Sequence, residues 1–260
     1  MSTLLPAPGP LGAFLAPWAA FLFILRHPRL WWLCLAPLLV NLGLFLLFFW
    51  FSFSRFSSWL DTILPSGQGW WWQALAYLLL VLAVLLLMAM QVLLFAVLGR
   101  IIAAPFLEQL TRRGEKLADP SITWDEPNFW SGLGRMLIQE SKKLILYFLL
   151  VGVLLLLNLV PGLGPALYGA LIWLVTCFFL ATEFLDYPLE RRGLSLRGKL
   201  VYVKELKLSG LAFGAAVFIL GVVPLLNLAM LPLAALGGTL VYLDNRPPSP
   251  PPPPPPGATG

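Results

Sequence analysis

Residues 31–53 read WWLCLAPLLVNLGLFLLFFWFSF, a run without a single charged side chain. At a rise of about 1.5 Å per residue, a helix of this length crosses the ~30 Å hydrocarbon core of a bilayer. Residues 70–99 form a second, longer apolar run. A helix of that length overshoots the core, so it must tilt or project into water. The two runs predict two long transmembrane helices.

The composition supports lipid as part of the solvent. Hydrophobic residues make up 59% of the chain and charged residues 11%, against roughly 45–50% and about 25% in soluble domains. The chain has two cysteines, both inside apolar runs, and one histidine. We find no metal-ligand spacing, phosphate-binding loop or nucleophile motif, so we expect no enzyme, no metal and no cofactor. The basic residues flank apolar runs, which argues against nucleic acid as a partner.

Two further apolar segments, 144–182 and 211–243, are interrupted by proline and glycine. The first breaks at the PGLGP sequence of residues 161–165, which leaves two arms of marginal length for a span. The second breaks at Pro224, after an arm too short to cross comfortably. This pattern predicts two helical hairpins that penetrate partly or span with short helices. Their tips should be buried in protein or line a wet cavity, because lipid cannot bond open backbone groups.

The other segments complete a single membrane domain over residues 11–244. Residues 1–10 are predicted to be flexible, and 245–260 to form a disordered, proline-rich tail. Residues 100–143 form a polar connection with predicted breaks at Pro105, around Asp119-Pro120 and around Glu126-Pro127. Residues 11–26 predict an amphipathic helix lying in or dipping into the membrane interface. Its bulky face comprises Phe14, Trp18, Phe21, Leu22 and Leu25.

The lysines and arginines lie almost entirely on one side of this topology. All 17 except Arg55 fall in residues 1–30, 99–143, 183–208 and 244–260. Basic loops favour the cytoplasmic side, so we expect both termini of this multi-pass protein in the cytoplasm. The charge distribution does not distinguish re-entrant from spanning hairpins.

Six short motifs point to a known family. In chain order they are PLLVN (37–41), IAAPF (102–106), PGLG (161–164), DYP (186–188), VPLLN (223–227) and PLAALGGT (232–239). With them, the chain resembles the CysZ-like sulfate permeases of the etoposide-induced-protein domain family. The resemblance covers most of residues 20–244. It implies a bacterial inner-membrane protein with two long transmembrane helices and two partly penetrating hairpins. It also implies a homo-oligomer and sulfate uptake for cysteine synthesis.

The chain departs from the family pattern at two places. Family members carry an arginine pair shortly after a proline at the start of the first long helix, tied to sulfate binding. Here Pro28 is followed by Arg29 and then by Leu30-Trp31-Trp32. Glu190-Arg191-Arg192 stands where relatives carry a short Asp-Asn-His-Lys-like run. These departures leave the anion specificity open.

A sulfate carrier needs groups that replace the hydration of a dianion, and arginine forks and helix N-termini both do so. The candidate anion-binding residues are Arg26, Arg29, Arg191 and Arg192, with lipid headgroup anchoring as the alternative. Helix N-termini near residues 165–167 and 227–229 are further candidates. The candidate pore or hairpin-tip residues are Asn41, Asn158, Pro161, Gly162, Gly164, Pro165, Pro224 and Asn227. For the asparagines, hydrogen bonding between helices is the alternative role.

Glu183 and Asp186 are spaced i,i+3 near the end of the first hairpin and are candidates for a proton relay. The alternative is that they pair with Arg191 or Lys199. The sequence thus favours a permease for sulfate or a related oxyanion in the inner membrane. A non-transporting membrane scaffold of the same fold is the second hypothesis.

Overall fold

The computed structural model describes residues 6–7, 9–63, 69–122, 129–160 and 162–246. For some residues within the helices, only the backbone is described. The described residues form nine α-helices and no β-strand. They are α1 (Gly9–Phe14), α2 (Ala16–Arg26), α3 (Trp31–Ile63), α4 (Trp70–Ala118), α5 (Phe129–Leu155), α6 (Gly164–Glu190), α7 (Leu196–Glu205), α8 (Leu208–Val222) and α9 (Pro224–Asn245). The predicted all-α class is confirmed. Several predicted features lie outside the described residues, namely most of the N-terminal segment predicted to be flexible, most of the proline-rich tail, Pro161 and the predicted break at Glu126-Pro127.

The chain divides into two compact units, residues 27–110 and residues 1–26 with 111–260. In the first unit, α3 and α4 run antiparallel, since Asn41 bonds the carbonyl of Gly99 and Gln91 bonds that of Phe45. Residues Pro28–Ser52 and Trp70–Gln91 are long and apolar enough to cross a membrane. Their outer faces are exposed, with Trp50 and Leu86 each 69% exposed. The two predicted transmembrane helices are confirmed.

The predicted break at Pro105 is wrong. Helix α4 continues through this proline to Ala118 and ends at the Asp119-Pro120 sequence, as predicted there. A proline inside a helix removes one hydrogen bond and costs roughly 3 kcal/mol. Ala103, Leu107 and Leu110, spaced i, i+4 and i+7, are all buried. Packing along this face offsets the local cost. With α5 beginning at Phe129, much of the predicted connection 100–143 is helical.

In the second unit, small residues let the helices approach closely. Helix α6 packs against α8 and α9, α1 against α8, and α2 against α9. A Cβ atom on Gly214 of α8 would lie 1.8 Å from the carbonyl oxygen of Cys177 in α6. One on Gly238 of α9 would lie 2.5 Å from the carbonyl oxygen of Phe184. Pro188, four residues later, has no N–H to bond that oxygen, so the glycine packs against a freed carbonyl. Such close packing of small residues is typical of membrane helices.

The N-terminal helices α1 and α2 are amphipathic, with the predicted bulky face exposed and the alanine face buried. Ala13, Ala16 and Ala20 are fully buried, while Trp18 is 57% exposed. The rest of the predicted bulky face is also exposed, namely Phe14, Phe21, Leu22 and Leu25. The alanine face therefore packs on the helices of its own unit, and the bulky face remains for lipid.

Both predicted hairpins are present as helix pairs. In the first, residues Ser141–Leu159 and Gly164–Glu190 are each long and apolar enough to cross a membrane. In the second, α8 and α9 meet at Val223, which is extended. Helix α7 precedes α8 at a bend of 101°, and Lys207 at this bend adopts a φ of 52°. The second helix N-terminus lies at Pro224, three residues before the predicted start at Asn227.

Candidate functional site

A buried carboxylate holds two of the predicted anion-binding arginines. Glu115, near the C-terminal end of α4, is completely buried. Arg191 donates to its Oε2 from Nε at 3.0 Å and from Nη2 at 2.7 Å. Arg192 donates to its Oε1 from Nη2 at 2.5 Å. These residues, with Thr111, form what we call the arginine–glutamate cluster, whose two guanidinium groups and one carboxylate sum to a formal charge of +1.

Both arginines make further contacts. Nη1 of Arg191 donates to the hydroxyl of Thr111 at 3.0 Å. Nη1 of Arg192 donates to the carbonyl of Pro188 at 2.7 Å. The guanidinium carbon of Arg192 lies 4.1 Å from the ring centroid of Tyr242 in α9, a cation–π distance. The cluster therefore joins α4, α6 and α9.

The predicted proton-relay residues lie in a second group, the lysine–acid cluster, formed by Lys143, Glu183, Asp186, Glu190 and Lys199. Lys143 of α5 lies 2.6 Å from Glu183 and 4.0 Å from Asp186. Lys199 of α7 lies 2.5 Å from Asp186 and also pairs with Glu190. Both lysines are buried. Of the partners expected for the two carboxylates, the structure pairs Asp186 with Lys199 and uses Arg191 elsewhere.

A third ion pair joins the ends of α4 and α9. The guanidinium of Arg246 pairs with Asp119, whose other oxygen accepts from the hydroxyl of Ser121 at 2.6 Å. These hydrogen bonds, from Ser121 first and from Arg246 second, lower the pKa of the Asp119 carboxyl to about 2. The carboxylate is therefore the form that stabilises this junction at neutral pH.

At the first hairpin tip, the backbone bonds within the chain. Residues Leu156–Leu159 form a 3₁₀ turn, and the amide of Val160 donates to the carbonyl of Leu157 at 3.0 Å. Asn158, a predicted tip residue, is exposed and donates to the carbonyl of Leu155. Gly162 adopts a φ of 85°. A Cβ on Gly164 would lie 2.1 Å from the carbonyl oxygen of Leu157, so this close turn requires glycine.

The tip is not buried in the single chain, although burial in protein was one of its two predicted settings. Leu159 is 77% exposed and Leu163 79% exposed. Pro165 occupies the first turn of α6, where a missing N–H costs little. At the second tip, Pro224 and Asn227 lie in the first turn of α9, but their side chains are outside the described ones.

Asn41 forms a hydrogen bond between helices, as in the alternative role considered for it. Its side chain donates to the carbonyl of Gly99 at 3.3 Å and so joins α3 to α4. Gln91 of α4 is buried and donates to the carbonyl of Phe45 in α3 at 3.0 Å. Arg26 ends α2, and Arg29 lies in the 3₁₀ turn Pro28–Leu30. Both are exposed, and neither forms an ion pair with another described residue.

The family assignment rests on the match of residues 16–232 to the model of the family described as "Sulfate transporter CysZ/Etoposide-induced protein 2.4". The chain belongs to this family. The predicted family is therefore confirmed, and the protein is a multi-pass membrane protein of a sulfate transporter family.

Several relatives of this CysZ family match along most of their length. The "Sulfate transporter CysZ" of Pectobacterium atrosepticum is 33% identical over 217 residues, which cover 80% of this chain and 76% of the relative. That of Pseudomonas aeruginosa is 29% identical over 226 residues, covering 85% and 90%. That of Salmonella typhimurium is 30% identical over 214 residues, covering 80% and 83%.

Sequence reasoning missed Glu115, the residue that organises the arginine–glutamate cluster in this family member. Its position four residues after Thr111 could have indicated a polar pair, because residues i and i+4 share one helix face. The predicted break at Pro105 obscured it, since the segment was then treated as a loop rather than as the end of α4.

Proposed function

We propose that this protein carries sulfate or a related oxyanion across the bacterial inner membrane. The observation that carries the proposal is the match to relatives named sulfate transporters over about four fifths of the chain. Exposed arginines that lack an ion pair among the described residues support it, since a dianion requires such donors. Arg26 and Arg29 meet this condition. Arg191 and Arg192 do not, because Glu115 accepts from both.

We assign different roles to the two arginine pairs on this basis. Arg26 and Arg29 act as ligands that capture the anion. Arg191 and Arg192 contribute through the net positive charge of their cluster, which attracts anions without binding them directly. The helix N-termini at Gly164 and Pro224 complete the path as sources of positive dipole.

The test is uptake of labelled sulfate into liposomes that contain the purified protein. The Arg26→Ala/Arg29→Ala variant should lower the initial rate at low sulfate about a hundredfold or more, because it removes two charge-assisted donors that are each worth roughly 1.5–3 kcal/mol. The matched control is Lys116→Ala/Lys207→Ala, which removes two exposed cations. Competition with phosphate and chloride identifies the preferred anion. Flux no higher than in protein-free liposomes would refute the proposal.

Proton coupling through Glu183 and Asp186 is a separate part of the proposal. A lysine already neutralises each of these carboxylates, so protonation would have to release the lysine as the anion moves. Uptake driven by an imposed pH gradient should be lost in Glu183→Gln/Asp186→Asn while passive exchange persists. If a pH gradient does not change the uptake of the unmodified protein, the carboxylates are structural.

Topology and assembly complete the proposal. We place both termini in the cytoplasm, which the one-sided distribution of basic residues supports. The test is protease protection of a tag at each terminus in inverted vesicles. Cleavage of only one of the two tags would contradict this placement. We also propose a homo-oligomer, because the exposed leucines of the first hairpin tip can be covered by a second copy or by lipid. Native mass spectrometry gives the number of chains.

A scaffold without transport activity is the second candidate. The engagement of Arg191 and Arg192 by Glu115 favours it, since two of the four candidate arginines are not available to an anion. Such a protein would show no sulfate flux and would copurify with one membrane partner at a fixed stoichiometry.

A further inference from the structure

An open groove of about 450 Å³ lies between four helices of the second unit. Its walls are apolar and come from α5, α6, α7 and α8. The apolar lining residues are Leu146, Leu150, Leu174, Val175, Phe178, Phe179, Leu200, Val201 and Leu211. The volume falls within the roughly 300–1,000 Å³ typical of small-molecule sites.

Two cations lie at the α7 wall of this groove. Arg197 and Lys204 both line it and both are exposed. They are spaced i,i+7, which puts them on one face of α7 about 10 Å apart along its axis. Leu200 and Val201 lie between them on the same face. The opposite face of α7 buries Lys199 and Val203, so the helix presents its cations to the groove rather than to the core.

The charge of these two cations is not neutralised along the helix. No acidic residue stands three or four positions from either one, and Glu205 follows Lys204 directly, a spacing at which side chains do not face each other. Neither cation forms an ion pair with any described residue. The buried lysines nearby differ in this respect, since each is bound by carboxylates.

The orientation of the groove matches that of a membrane lipid. Leu146 and Leu150 are one turn apart on α5, as are Leu174 and Phe178 on α6, and both helices are long enough to cross the bilayer. Helix α7 is bent by 101° from α8. If α8 follows the bilayer normal, α7 therefore lies in the interfacial plane, where headgroups are found. An apolar channel along the spans thus meets a cationic rim at the interface.

We propose that this groove is a binding site for an anionic phospholipid, with one acyl chain in the apolar channel and the phosphate at Arg197 and Lys204. The charge decides the occupant, since an apolar helix from a second copy would leave both cations without a counterion. The site is distinct from the anion path proposed above, and its test does not depend on sulfate transport.

The experiment is a lipid titration of the full-length, detergent-purified protein followed by native mass spectrometry. The probes are palmitoyl-oleoyl phosphatidylglycerol and palmitoyl-oleoyl phosphatidylcholine. The unmodified protein should retain phosphatidylglycerol in preference to phosphatidylcholine. Arg197→Gln/Lys204→Gln should weaken phosphatidylglycerol binding by about 30-fold, given the usual contribution of a basic residue at an anionic membrane surface. Lys116→Gln/Lys207→Gln, with the same charge change outside the groove, should bind like the unmodified protein.

A second pair of variants tests the apolar channel. Leu150→Trp fills the groove and should weaken phosphatidylglycerol binding about fivefold, since the burial of roughly one methylene group is lost. Leu149→Trp is the matched control, because Leu149 is 63% exposed and lies outside the groove lining. All of these positions are on the surface, including Leu150, which is 37% exposed, and elution as a single peak verifies that each variant folds.

Four results would overturn the proposal. Equal retention of both lipids would show that headgroup charge is not recognised. An equal loss of phosphatidylglycerol binding in Arg197→Gln/Lys204→Gln and in Lys116→Gln/Lys207→Gln would show that general surface charge, and not the groove, attracts the lipid. Complete displacement of phosphatidylglycerol by millimolar inorganic phosphate would indicate a small-anion site. A change in the number of chains in Leu150→Trp, with lipid binding unchanged, would show that a second copy occupies the groove.

Discussion

Replacing Glu115 by glutamine should destabilise the protein more than any exposed charge substitution. The carboxylate is completely buried, and the partner side chains of Arg191 and Arg192 are 3% and 24% exposed. Glutamine keeps the shape but removes the carboxylate with which both guanidinium groups pair. Removing one partner of a buried ion pair costs roughly 3–5 kcal/mol. We expect about 3 kcal/mol, because Arg192 is partly solvated and retains the ring of Tyr242.

The assay is the fraction of detergent-purified protein that survives heating as a single chromatographic peak. A loss of about 3 kcal/mol corresponds to a fall of about 6–12 °C in apparent Tm for a chain of this size. The matched control is Glu205→Gln on the exposed surface of α7, for which we expect a change within about 0.5 kcal/mol.

A double variant distinguishes lost pairing from a general effect of the substitution. In Glu115→Gln/Arg191→Met, the more buried of the two arginines is removed together with its partner, and the apolar side chain occupies a similar volume. The double variant should be more stable than the sum of the two single changes by at least about 1 kcal/mol. The reasoning is refuted if Glu115→Gln melts within about 1 °C of Glu205→Gln, or if the two single effects are additive.

Three further predictions concern packing, pH and hydrogen bonding between helices. Gly214→Ala should lower the apparent Tm, by an overpacking cost of about 1–3 kcal/mol, whereas Gly169→Ala, where a Cβ meets no atom within 4 Å, should raise it through better helix propensity. The hydrogen bonds described above hold the pKa of the Asp119 carboxyl at about 2, so its contribution is present above about pH 4, the unfolded value, and lost as the pH falls towards 2. The difference in unfolding free energy between unmodified protein and Asp119→Asn is under about 1 kcal/mol for this partly exposed pair. The corresponding difference in Tm should therefore vanish on acidification, and a difference constant with pH would contradict the assignment. Gln91→Leu should cost only about 0.6–1.7 kcal/mol, as for other hydrogen bonds between membrane helices, and a larger loss of Tm would indicate a second partner for its amide.

The sequence by itself determined the membrane class, the two long helices and the family. These features follow from local properties: uninterrupted apolar runs set span length, and short motifs carry the family resemblance. The hairpins were also predictable, because proline and glycine at residues 161–165 and at Pro224 interrupt apolar runs that are otherwise helical. The error at Pro105 has the converse cause. Local propensity opposes a helix there, and only burial of the face with Ala103, Leu107 and Leu110 shows why one forms.

The tertiary structure alone decided which charged residues are available to a ligand. Arg191 and Arg192 were equal to Arg26 and Arg29 as candidates by residue type and placement. Their partner Glu115 lies 76 positions before Arg191, far beyond any helical periodicity. The cations of α7 likewise separate into buried Lys199 and groove-lining Arg197 and Lys204 only once the neighbouring helices are in place. Local sequence sets helix faces and lengths, but the partner of a charge is set by packing between segments distant along the chain.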